Sequence, residues 1–131
     1  MKTILAMLPR VFAILGSGLG FLLGGFDGYL YTLLGFILID YLTGVLLAIA
    51  RHQLSSEIGF VGIIKKILIL VIVALGQLLD QNLLDGSAAM RTAVIFFYIA
   101  NEGLSITENL GGLGFPLPEQ LKQVLAQLSE D

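Results

Sequence analysis

An all-α fold embedded in a membrane is what this sequence predicts, and three observations carry it. Of the 131 residues, 56% are hydrophobic and only 13% charged, against roughly a quarter charged in an ordinary soluble domain. The apolar residues gather into long blocks, where a soluble core or a lipid-facing barrel strand would show short alternating runs. Inside those blocks the few polar residues recur at helical spacing. A chain of this length makes one domain, residues 1–131. Its net charge of -3 gives no footprint for nucleic acid, and with 0 cysteines there is no disulfide, thiolate nucleophile or cysteine metal site.

Crossing the hydrocarbon takes about 20 apolar residues, and four blocks are candidates, with three spans as the alternative. The first, 4–25, is interrupted by Pro9 and Arg10; that interruption also argues against a cleaved secretory signal. Gly16, Gly20 and Gly24 repeat every four residues in it, a small-residue ridge that lets another helix approach closely. Its "GSGLG" follows no strand and has the wrong spacing for a nucleotide loop.

The second block, 29–50, is the cleanest, yet it holds Asp40 near its middle. A central aspartate costs about 2.5–3.5 kcal/mol on insertion, while each Leu, Ile, Phe or Val returns about 0.3–0.6. About a dozen of those accompany it, so the helix can insert with its charge. Thr43 and Gly44 share the Asp40 face, which is therefore buried in protein or wet. Both readings stand: a hydrogen-bonded aspartate that joins helices, or a residue lining a water path.

Ser55 and Ser56, with Glu57 and then Ile58, Val61 and Ile64 at helical spacing, predict a short amphipathic helix on the membrane surface. The third span, 67–84, follows Lys65 and Lys66 and carries Gln77, Asp80 and Gln81 as a polar stripe. The fourth, 92–106, is short and groups Tyr98, Asn101, Glu102 and Ser105. Asp40 and Glu102 must be protonated, paired or hydrated, with Arg91 and Arg51 as distant candidate partners. After it, Leu117, Leu121, Val124, Leu125 and Leu128 form one stripe opposite Glu119, Gln120, Lys122, Gln123 and Gln127. An amphipathic helix over 117–129, with Pro118 at its first position, is the result. It packs against the bundle or another copy's tail.

Lysine and arginine mark cytoplasmic loops. Lys2, Arg10, Arg51, Lys65 and Lys66 fall on one side of a four-span arrangement and only Arg91 on the other. Both termini are thus expected in the cytoplasm; with three spans the N-terminus starts outside. The single histidine, His52, sits at a helix end, and nothing has the spacing of a metal or catalytic site. No enzyme and no cofactor is expected.

The strings "IDYLTGVLLAIA", "LSSEIGFVGIIKK", "LLDQN" and "FFYIANEGLSITENLGGLGFPLP", in that order, resemble the phage lysis and toxin-secretion holin family of Gram-positive bacteria and their phages. The resemblance covers about 29–128. It implies a small protein of the bacterial cytoplasmic membrane that self-associates and opens non-selective lesions. A wall hydrolase, or in some relatives a large toxin, would be the cargo. Asp40 and Gly44 match the family's early acidic and glycine positions, Lys65 and Lys66 its basic loop, and Asp80 its later acidic position. Asn101, Glu102, Ser105, Glu108 and Asn109 match its C-terminal motif. The polar stripes also permit a small selective channel or transporter subunit, and the glycine ridge and tail permit a non-conducting scaffold or lysis-timing partner.

Overall fold

The computed structural model describes residues 1–130, which form five helices and no strand. They are α1 (Lys2–Leu23), α2 (Gly28–Ala50), α3 (Ser56–Asn82), α4 (Ala89–Gly112) and α5 (Glu119–Glu130). Helix α1 runs through Pro9 and ends at Gly24, whose left-handed φ of 87° lets its N–H reach back to Gly20 and Phe21 carbonyls. Asp27 caps α2 by accepting the Leu30 N–H at 2.9 Å, and Ser55 caps α3 by accepting the Ile58 N–H at 3.1 Å.

Three helices, α1, α2 and α3, are long and apolar enough to cross a membrane. Helix α4, the expected fourth span, is not among them. Its 24 residues reach about 36 Å at 1.5 Å per residue, but Arg91, Glu102 and Glu108 lower its hydropathy. It lies at the centre of the bundle, packed on α2, α3 and α5. Burial on several sides lets it carry polar groups that a lipid-facing helix could not.

The separate surface helix expected at Ser55–Ile64 is not there. It and the third span are one helix of 27 residues, because no proline or cap intervenes after Ser55 and the helix simply continues through Lys65 and Lys66. The lysine pair is therefore not a loop. The fourth block is likewise longer than 92–106, extending through Asn109 to Gly112. The tail forms α5, with Pro118 preceding its first residue and accepting the Lys122 N–H.

Leu23, Leu30, Leu33, Ile37, Ile69, Val73, Ile95 and Ile99 make the core. Around it the outer surface is apolar, as Leu38, Leu42, Ile67, Val71 and Phe97 show, which suits hydrocarbon and not water. Helix α1 packs along α3, with the Arg91 side chain of α4 reaching its last residue, and of its own residues only Gly20 and Leu23 are buried. At Gly76 on α3 another helix's backbone comes close, and a Cβ there would stand 3.3 Å from the Arg91 backbone. Gly76→Val is expected to lower stability by about 1–3 kcal/mol through overpacking. A shifted unfolding midpoint in detergent measures it; an unchanged midpoint would mean α3 and α4 can move apart freely.

Candidate functional site

Three ionisable side chains meet inside the bundle, one from each of α2, α3 and α4. The Lys66 ammonium donates to Asp40 Oδ2 and to Glu102 Oε2. Asp40 and Glu102 are 7% and 4% exposed, so two buried carboxyl groups share one half-buried cation between them. Asn109 closes it from α4: its Nδ2 donates to Asp40 Oδ1 at 3.0 Å and to Thr43 Oγ1 at 2.9 Å. Thr43 in turn donates to the Ile39 and Asp40 carbonyls. Glu102, Ser105 and Asn109 share one face of α4 by their spacing of three and seven, which is why all can look toward α2 and α3.

The triad lies near mid-length of α2 and α4 and within the apolar belt, since exposed Leu42 and Leu46 lie beyond it on one side and Leu38 and Ile67 on the other. Two clefts of about 280 and 520 Å³ open onto it, sharing Asp40, Lys65, Lys66 and Ser105. Tyr98, Asn101 and Glu108 line the larger one, and Gly44 and Asn109 the smaller. Gly44 faces Asn109, with 3.6 Å of room for a Cβ, so it borders α4 without requiring a glycine.

Arg91 and Arg51 are not the partners of Asp40 and Glu102. Arg51 is exposed at the C-cap of α2, and Arg91 is 3% exposed at the opposite end of the bundle. There its guanidinium donates to the Leu23 carbonyl, to the Gly25 carbonyl at 2.9 Å, and to both Asp27 oxygens at 2.8 and 3.2 Å. One side chain thus satisfies the end of α1 and grips the cap of α2. Asp80, 2% exposed, caps α4 from the neighbouring helix by accepting the Met90 and Arg91 N–H groups at 3.0 and 2.9 Å. Ala88, the N-cap of α4, has no side chain able to do so. Gln77 lies half-buried beside Gly24, and Gln81 is exposed; both line a cleft with Gly20 and Gly24.

Of the glycine ridge, Gly16 has nothing beside it, Gly20 is covered by the Phe26 ring, and Gly24 is the turn. Lys2 and Arg10 are exposed on α1, and His52 is exposed with a φ of 54°. Among the described residues no cluster of His, Cys, Asp and Glu could hold a metal ion. Sequence reasoning missed Lys66 as the ion partner, Asp27, and Gly76. The i, i+7 spacing of Glu102 and Asn109 was a readable signal for their common role.

Hydrogen bonds from Arg91, aided by the Leu30 N–H and opposed by partial burial, hold the Asp27 carboxyl below its ordinary value of 3.8. A lowered carboxyl contributes stability that is complete above the unfolded value and lost as pH falls through the folded one. The α1–α2 turn is therefore expected to loosen only below pH 3.8, and hydrogen exchange at Gly25 and Asp27 measures it. Equal protection of those amides across that range would contradict the clamp.

The bacteriophage holin family matches residues 17–130. An uncharacterized 14.9 kDa protein from the nagH 3′ region of Clostridium perfringens is 48% identical over 115 residues, 88% of this chain and 87% of the relative. An uncharacterized Listeria monocytogenes protein is 44% identical over 87% of this chain and 82% of its own length. A probable holin of Bacillus phage phi105 is 35% identical over 103 residues, 79% of this chain and 76% of the phage protein. No solved structure matches the chain. With a match across most of its length, a phage holin relative and three membrane-crossing candidates, the chain belongs to the bacteriophage holin family.

Proposed function

We propose that this holin self-associates in the cytoplasmic membrane and opens non-selective lesions through which a cell-wall hydrolase, or a large toxin, leaves the cell. The triad of Asp40, Lys66 and Glu102 inside an apolar belt is the observation that carries the reading. Stability alone does not call for it, because replacing a buried ion cluster with well-packed apolar residues is often neutral or favourable by about 1–4 kcal/mol. Charges kept at this depth give neighbouring copies a hydrophilic surface to enclose, and the two clefts already reach it. Helix α4 crosses as the fourth span, its polar face turned to α2 and α3. Both termini lie in the cytoplasm, with Lys2, Arg10, Arg51 and Lys65 toward that side. The open face of α1 around Gly16 offers a second copy a close contact.

Expression in a bacterium tests this. Collapse of the membrane potential, and lysis when a wall hydrolase is co-expressed, is expected; an intact potential despite confirmed insertion would refute it. A second reading, a non-conducting scaffold, is favoured by the absence of any unpartnered buried side-chain polar atom among the described residues. Asp40→Asn separates the two, since it keeps a hydrogen-bonding group but removes the charge. A lesion former changes its timing of release, whereas a scaffold has none to change.

A further inference from the structure

Helix α5 docks at a level where a lone inserted chain could hardly hold it. Leu125 is buried against Gly103, where a Cβ would meet the Leu125 side chain at 2.8 Å and the Phe36 ring at 3.2 Å. Leu128 packs on the core. Gly103 lies nine residues before the end of α4, about 14 Å along the helix at 1.5 Å per residue. The chain reverses through 113–118, with Gly114 at φ 76° and prolines at 116 and 118, and α5 runs back along α4. It thereby reaches almost to the middle of the bundle.

Its outer face carries Gln120 and Lys122 nearer the hinge and Gln123 and Gln127 about the level of Leu125, all exposed, while Leu121 and Val124 are exposed along one flank. Neighbouring outer surface on α2 and α4 is apolar, with Leu38, Leu42, Leu46 and Leu104 exposed. An ammonium and three amides turned outward there are strongly disfavoured in hydrocarbon. The inner edge, Leu125 and Leu128, equally resists water. Docked α5 therefore fits an environment with protein against Leu125 and Leu128, water on its amide face, and a second copy or lipid along the exposed flank of Leu121 and Val124. Within the hydrocarbon layer that environment exists only where copies enclose water.

We propose that docked α5 is a water-facing stave of the assembled lesion, and that in the lone inserted chain it lies on the membrane surface, held by the 113–118 hinge. The inference rests on the lesion-forming reading above. Docking and wetting then promote each other, because whatever favours the wet assembly favours the docked tail by the same factor.

The sequence has 0 cysteines, so an engineered pair is unambiguous. Gly103→Cys with Leu125→Cys joins α4 to α5 at their contact, and the parent chain, the oxidised pair, the reduced pair and Gly103→Leu are compared for release of a folded protein from vesicles. The oxidised pair should release as fast as the parent or faster. Intrachain cross-linking should form several-fold more readily at densities that permeabilise than at low density. Gly103→Leu, whose side chain fills the notch, should insert and cross-link to itself but release several-fold more slowly; Leu125→Gln weakens docking from the tail side and should do the same. Sealed vesicles with the oxidised pair, reopened by reduction, would overturn the proposal and make α5 a plug. Equal release by parent, Gly103→Leu and Leu125→Gln would overturn it too. A parent chain that releases nothing would instead refute the lesion-forming reading itself.

Discussion

Lys66→Met is expected to be the most damaging single substitution in the chain, destabilising the bundle by about 3–5 kcal/mol. It removes the ammonium that pairs with both Asp40 and Glu102 and leaves two carboxyl groups buried side by side. Both must then take up protons or draw in water, and α2, α3 and α4 lose the group that joins them. Adding Asp40→Asn and Glu102→Gln to the same chain should recover most of the loss, since no uncompensated charge remains. Unfolding in detergent, followed for the single and triple variants, measures this. If Lys66→Met unfolds like the parent, the triad does not hold the helices together.

Arg91→Met should have the next largest effect, about 1.5–3 kcal/mol, the range for hydrogen bonds to charged groups. Arg91 holds the Leu23 and Gly25 carbonyls and the Asp27 carboxylate at once. Helix α1 has little other attachment, so its loss of contact with α3 should be the visible result. Arg91→Lys should restore only part, because a single ammonium cannot present the planar fork that spans these acceptors. Cross-linking between α1 and α3 across the cleft at Gly20 and Gln77 reports it. Undiminished cross-linking in Arg91→Met would show that α1 is held by something else.

Much of this arrangement was legible in the residues, and the misreadings have physical causes. The unfavourable position of Asp40 and the polar faces of α3 and α4 follow from helical periodicity, and Asp80 and Glu102 are indeed buried on those faces. The amphipathic tail is also a helix, as its stripe requires. The role of Lys66 is hidden in the sequence because a lysine pair before an apolar run looks like a membrane boundary, and only the packing of three helices reveals that its neighbour Lys65 is exposed while it turns inward. In the sequence Arg91 reads as a loop charge, whereas in the fold it is a buried clamp. Pairings such as these join residues 26, 36 and 64 positions apart. No local pattern encodes contacts at that separation. Gly76 sits in an unremarkable stretch, and its role exists only because the α4 backbone passes beside it.

Size-graded release from vesicles tests the central claim most directly. The purified chain is reconstituted at increasing density into vesicles loaded with ions, a small dye and a folded protein. Above a threshold density all three should escape together, the protein included, because a non-selective lesion does not sort by size at this scale. Escape of ions alone would make the chain a selective channel, and retention of all three at the highest density would make it a scaffold.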